Sequence, residues 1–184
     1  MTIYDESFFT KRAGAVTASA AATSLGLQTK AAVGTFDVFL SHSVRDARVI
    51  LGVREWLQSK GLTVYVDWID DTQLDREKVS PATASQLRRQ MDRSHTLIYA
   101  TSQNAQASRW MPWELGYFDG RKGRERVSIL PIDNSSGGRF TGDEYIGLYP
   151  RIEQQQISPG NLGPIAISPS GTSQRLSSFV RPGV

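Results

Sequence analysis

Between Thr35 and Ile132 the chain switches repeatedly from short β-branched and aromatic runs to segments with one-face helical spacing, and this alternation restricts the fold more than any other feature. Phe36-Asp37-Val38-Phe39-Leu40 reads as a buried strand. Arg45 to Lys60 follows with apolar residues at Val49, Ile50, Val53, Trp56 and Leu57, a helical spacing that Gly61 closes. Leu62-Thr63-Val64-Tyr65-Val66 is a second strand, and a polar loop runs from Trp68 to Pro81. Ala82 to Arg93 reads as helix, Thr96 to Ala100 as strand, Trp110 to Lys122 as helix and Val127 to Ile132 as strand. Strands alternating with helices in this way predict an α/β domain whose parallel sheet is covered on both faces. Residues 134–184 are rich in Gly, Pro and Ser; a fifth strand falls either near Ile165-Ala166-Ile167 or around Arg151-Ile152, and Thr172 to Val180 reads as a closing helix.

A chain of 184 residues holds one domain of this kind with tails. The expected divisions are an N-terminal arm or small helix over residues 1–34, a body over 35–150, and a C-terminal extension over 151–184 that completes or flanks the fold. Lys11-Arg12 followed by the Ala/Thr/Ser stretch from Ala13 to Leu25 imitates a secretory signal, but Thr17, Ser19, Thr23 and Ser24 interrupt what should be an apolar core. No apolar run approaches the roughly 18–20 residues of a membrane span, so none is expected. The chain has no cysteine and two histidines, His42 and His95, which excludes disulfide frameworks, a cysteine nucleophile, Cys/His structural zinc and a three-histidine metal centre. The net charge of +3 belongs to the tails, because residues 35–150 carry 15 basic and 15 acidic side chains. A neutral body argues against nucleic acid as a partner.

In an open parallel sheet, ligands bind beyond the carboxyl ends of the strands, which selects three loops: Ser41 to Val44, Asp67 to Ser80, and Thr101 to Arg109. The third leads into the most informative helix. Pro112 belongs in a first helical turn, so the helix starts near Arg109 or Trp110 and carries Trp110 and Glu114 four residues apart on one face. Tyr117 and Phe118 are expected to extend that face, leaving the carboxylate among aromatic side chains. Two readings stand side by side. In one, Trp110 and Trp113 are core anchors and Glu114 pairs with Arg121 or Arg109. In the other, Glu114 stabilises the oxocarbenium-like state formed when nicotinamide leaves a ribose, while Trp110 stacks on the cationic ring. Nicotinamide leaves readily, so one carboxylate can suffice.

The remaining motifs carry less. Ser41 and His42 are neighbours on an extended segment and point to opposite faces, which defeats a Ser/His nucleophile. Ser43 with Asp46 makes an acidic variant of a helix capping box, leaving His42 to line the mouth of a pocket. Asp67, Asp70, Asp71, Asp75 and Glu77 lack the spacing of a calcium loop, and no metal is expected. That segment's length and Trp68 make it a lid over a ligand. No G-x-G-x-x-G follows the first strand and no G-x-x-x-x-G-K-[ST] occurs, which argues against a dehydrogenase and a P-loop nucleotidase. A phospho-receiver domain would need an acidic pair where Ser41-His42 stands.

Phe36 to Ser43 resembles the opening box of Toll/interleukin-1 receptor (TIR) domains, and Ser108-Arg109-Trp110-Met111-Pro112-Trp113-Glu114-Leu115 resembles their later box with its W-x-x-x-E pattern. The resemblance covers about residues 35–150. It implies a flavodoxin-like three-layer fold with a parallel sheet of about five strands. For function, it implies cleavage of NAD+ to nicotinamide plus ADP-ribose or a cyclic ADP-ribose. The family's catalytic glutamate maps onto Glu114 and its stacking tryptophan onto Trp110. Ser41, His42 and Ser43 take the place of its residues at the end of the first strand, and Asp67 and Trp68 stand where its flexible loop begins. NAD+ would be substrate, with no separate cofactor. The resemblance to stand-alone bacterial proteins of anti-phage defence, such as the sensor subunit of Thoeris systems, implies a cytoplasmic protein that self-associates through TIR–TIR contacts and reaches a separate effector through its nucleotide product. The alternative is a non-enzymatic TIR adaptor or host-mimic; the presence of both Trp110 and Glu114 favours the enzyme.

Overall fold

The computed structural model describes residues 2–13, 34–70, 80–134 and 144–182. Its strands are β1 (Tyr4–Asp5), β2 (Phe36–Ser41), β3 (Val64–Tyr65), β4 (Ser94–Thr101), β5 (Val127–Asp133), β6 (Arg151–Ser158), β7 (Asn161–Ile167) and β8 (Ser173–Arg175). The helices are α1 (Glu6–Thr10), α2 (Ala47–Gln58), α3 (Asp67–Asp70), α4 (Pro81–Asp92), α5 (Trp110–Lys122) and α6 (Leu176–Val180). One sheet runs in the order β3-β2-β4-β5-β6-β7-β8, with β1 also paired to β5. The five strands from β3 to β6 are mutually parallel, in the flavodoxin-like order that places the reversal of strand order between β2 and β4.

Side-chain alternation along the central strands builds the two faces. Val38, Leu40, Ile98, Ala100, Leu130 and Ile132 point toward α1, α2 and α6, while Phe39, Leu97, Tyr99, Val127 and Ile129 point toward α4 and α5. All but one residue of β4 is buried, as a strand covered on both faces must be. Each helix contributes one apolar stripe: Val49, Ile50, Val53 and Leu57 from α2, and Met111, Leu115 and Phe118 from α5. Gly123, with φ of 90°, ends α5 in a backbone conformation that residues with a Cβ rarely adopt.

The N-terminal residues are built into this body. Asp5 caps α1 by accepting from the Phe8 amide at 2.7 Å, and Tyr4 and Phe9 pack against Trp56 with ring centroids 4.9 and 5.6 Å apart. Tyr4 pairs with Ile132, so β1 extends the parallel sheet at the carboxyl end of β5. The carbonyl of Phe9 lies where a Cβ on Gly52 would fall, 2.0 Å away, so α1 reaches α2 only because position 52 is glycine. Nearly all of the Ala/Thr/Ser stretch lies outside the described residues.

At the other end, both candidate fifth strands are strands. Arg151–Ser158 runs parallel to β5, and Asn161–Ile167 folds back antiparallel upon it with Ile152 opposite Ala166. The closing helix is shorter than its expected span from Thr172, because Ser173–Arg175 is the edge strand β8. Arg181 then ties the chain end back to β2, donating to both carboxylate oxygens of Asp37 at 2.7 and 2.5 Å.

Candidate active site

The end of β2 distributes its side chains alternately, and that alternation organises the site. Ser41 faces α5, where its hydroxyl donates to Glu114 Oε2 at 2.6 Å. His42 faces the opposite layer. Its Nδ1 lies 2.8 Å from the Leu40 carbonyl, which can only accept, so Nδ1 carries the proton. Nε2 in turn accepts from the Trp68 indole N–H at 2.8 Å, with Asp67 Oδ1 at 3.5 Å. His42 is fully buried and is not among the residues that line the cavity described below. Ser43, the next residue, does reach that wall.

Glu114 sits in the buried stripe of α5 with Trp110, Met111, Leu115 and Phe118 and has no exposed surface. A carboxylate in such a stripe costs stability unless hydrogen-bonded, and the short bond from Ser41 is of the charge-assisted kind that offsets the cost. Its expected partner Arg121 instead donates to Asp92 at 3.2 Å. Tyr117 departs from its expected face. It stacks on Trp113 at the outer side of α5, ring centroids 5.9 Å apart, and its hydroxyl donates to Asp92 at 3.2 Å. Positions 113 and 117 share one row of the helix and 110, 114 and 118 another. Of the aromatic residues expected on Glu114's face, Trp110 and Phe118 are therefore the ones found there.

Above Glu114, at the switch in strand order between β2 and β4, lies a cavity of about 370 Å³ lined by Ser43, Val44, Arg45, Ala107, Ser108, Arg109 and Trp110. Its walls are the loops after β2 and β4. The carboxylate stands one helical turn beyond Trp110 and takes no part in the lining. Asp46 joins the walls: its carboxylate accepts from the Ser102 hydroxyl and, at 2.6 Å, from the Asn104 side-chain amide. This displaces the expected capping box. Ser43 caps a 3-10 turn, Val44–Asp46, accepting from the Arg45 amide at 3.4 Å, and the helix proper starts at Ala47.

On the far side of His42, α3 is held by Arg54. This fully buried guanidinium donates to Asp70 Oδ1 at 2.9 Å, while Asp70 Oδ2 accepts from the Val66 amide at 2.6 Å. Burial pushes the Arg54 pKa below its ordinary value, with the Asp70 charge opposing. Asp67 and Trp68 thus stand on a pinned turn at the start of the expected lid; Asp71, Asp75 and Glu77 lie outside the described residues. Among the described residues no group of three or more His, Asp or Glu side chains is placed to hold a metal ion, and no helix is long and apolar enough to cross a membrane.

The structure therefore brings Ser41 and Glu114 together, places Ser43 and Trp110 on one cavity, and groups His42, Asp67 and Trp68 behind it. Sequence reasoning missed the roles of Asp46, Ser102, Asn104 and Arg54. A polar cluster just past a strand end was a signal for the first three, but partners 56 and 58 positions apart cannot be read from local pattern.

Residues 38–156 match the family described as TIR domain. The chain belongs to the TIR domain family. Over 123 residues, 66% of the chain and 63% of the relative, this TIR domain is 51% identical to a protein of Bacillus cereus (strain MSX-D12) named probable 3′ cyclic ADP-D-ribose synthase ThsB′. Over 83 residues, 45% of the chain and 22% of the relative, it is 32% identical to a putative cyclic ADP-D-ribose synthase, TIR2, of Cytobacillus dafuensis. The matched segment thus spans less than two thirds of either relative. The two segments that resemble the family's boxes lie at this site, Phe36 to Ser43 on β2 and its following loop and Ser108 to Leu115 at the start of α5.

Proposed function

We propose that this TIR domain is an NAD+-cleaving enzyme that releases nicotinamide and makes ADP-ribose or, more specifically, a cyclic ADP-ribose. The observation that carries the reading is Glu114: a fully buried carboxylate, hydrogen-bonded to Ser41, one turn beyond a tryptophan that lines the switch-point cavity. A purely structural role gives little reason to place an acid in that stripe. The names of both relatives, each a cyclic ADP-D-ribose synthase, support the same chemistry, and the Bacillus cereus protein's name makes the 3′ cyclic isomer the product to look for.

In this reading the ribose enters between Trp110 and Glu114, and the Ser41–Glu114 hydrogen bond is exchanged for one from a ribose hydroxyl. The bond from ribose C1′ to the pyridinium nitrogen breaks, its electron pair neutralising the departing nicotinamide. Glu114 stabilises the resulting positive charge. Attack on C1′ by water gives linear ADP-ribose; attack by a nucleophile within the same ADP-ribose closes the ring, a proton leaving in either case. Excluding water favours closure, which suits a buried carboxylate. NAD+ is then the substrate and no further cofactor is needed. Self-association through TIR–TIR contacts, a separate effector that reads the product, and a role in anti-phage defence complete the proposal.

The test is a time course of NAD+ with purified protein beside Glu114→Gln, the products separated by chromatography and identified by mass. Nicotinamide with a product one water lighter than ADP-ribose supports the cyclase; nicotinamide with ADP-ribose supports a hydrolase. Silence of the wild type, including under conditions that assemble it, returns the chain to the adaptor reading.

A further inference from the structure

The cavity at the switch point is lined by two arginines, Arg45 from the loop after β2 and Arg109 from the loop after β4. Both are exposed, and neither takes part in an ion pair or side-chain hydrogen bond among the described residues. Among the described residues no acidic side chain lines this cavity. Arg54, Arg121 and Arg181, by contrast, each lean on a carboxylate. The two loops are not independent either, because Arg45 is chain neighbour to buried Asp46, whose carboxylate holds Ser102 and Asn104 on the approach to Arg109. A buried acid thus fixes the loops that present two outward-facing cations to one volume.

We propose that Arg45 and Arg109 form a clamp for the diphosphate of the substrate, which makes this cavity a nucleoside-diphosphate subsite. The inference rests on the reading of Glu114 as the group beside the ribose. In a dinucleotide the diphosphate is joined to the C5′ of the ribose whose C1′ bond breaks, so a carboxylate at that ribose requires an anion-binding surface within a ribose length of it. The cavity beginning at Trp110 supplies one. Guanidinium forks suit phosphate oxygens because two parallel N–H groups meet two acceptors, fixing orientation as well as charge. A volume of about 370 Å³ is small for a whole dinucleotide and suits its central portion, with Ser43 and Ser108 as further donors. Binding energy gathered at a part of the substrate that does not react then positions the ribose over Glu114.

The experiment pairs Arg45→Gln, Arg109→Gln and the double variant with two substrates, NAD+ and nicotinamide riboside, which has the scissile bond but no phosphate. Each single variant is expected to lose about tenfold in kcat/KM toward NAD+, mostly in KM, and the double variant about a hundredfold, whereas activity toward nicotinamide riboside stays near wild type. Equal losses on both substrates, or none on NAD+, overturn the clamp while leaving glycosidic cleavage in place. Calorimetric titration with ADP judges the clamp even if no turnover is found: the wild type is expected to bind ADP and the double variant to bind it at least tenfold more weakly, and equal affinities or no binding by the wild type overturn it. Both side chains are exposed, so unchanged thermal midpoints exclude misfolding as the cause.

Discussion

Ser41 Oγ stands 2.6 Å from Glu114 Oε2, a hydrogen bond across 73 positions that locks the end of the first central strand to the second turn of α5. In the proposed reaction this is the contact that a ribose hydroxyl would replace, and Glu114 is fully buried behind it. Ser41→Ala is expected to lower NAD+ turnover about tenfold to a hundredfold, less than the loss in Glu114→Gln, because it removes one donor from the carboxylate without removing the charge. Equal loss in the two variants would make Ser41 a chemical participant. No loss in Ser41→Ala would separate the hydrogen bond from catalysis.

Trp68 fixes the start of the expected lid through its indole N–H on His42. Trp68→Phe keeps a ring and removes that donor. The expected result is a several-fold rise in KM for NAD+ with stability changed by about 1 kcal/mol or less, read from steady-state kinetics and chemical denaturation. A large loss of stability with unchanged KM would assign Trp68 to the core alone.

The anchor at the opposite end of the sheet gives a pH dependence. Burial by itself would raise the Asp37 pKa, but hydrogen bonds from Arg181 and Thr63 outweigh it and hold the carboxyl below its ordinary value. A carboxyl whose folded pKa is depressed contributes stability fully above its unfolded value of about 4 and loses it as pH falls through the folded one. Asp37→Asn is therefore expected to lower stability by about 1–2 kcal/mol at neutral pH, the half-exposed Arg181 limiting the figure, and to show a shallower loss in acid than wild type. Parallel stability curves from pH 6 to pH 3 would contradict this assignment.

Gly52 is where α1 meets α2. Gly52→Ala places a methyl group against the Phe9 carbonyl, and the backbone must move. The expected cost is about 1–3 kcal/mol, with faster amide exchange over residues 6–10. Wild-type protection there would mean that α1 does not dock as described.

These residues also mark how far the sequence is legible. The central strands and α5 were readable because each buries a periodic apolar set, and Glu114 stood out as an acid in such a set. β1 was not, since two residues carry no period and Tyr4 finds its partner Ile132 only across the folded sheet. The antiparallel β6–β7 pair was half visible: Arg151-Ile152 and Ile165 to Ile167 were read as rival fifth strands, when each is the other's partner. Tyr117 was assigned to the wrong row because 114 and 117 are neighbours on a helix, yet the boundary between the buried and outer rows passes between them. The hydrogen bond from Trp68 to His42 was not legible either, because nothing local links two residues 26 positions apart.

The most direct test of the central claim is nicotinamide release from NAD+ by the assembled protein compared with Glu114→Gln at equal concentration. The account predicts release by the wild type and a loss of at least about a thousandfold in the variant, which keeps the shape of the side chain and removes its charge. Release at the wild-type rate by Glu114→Gln would contradict it.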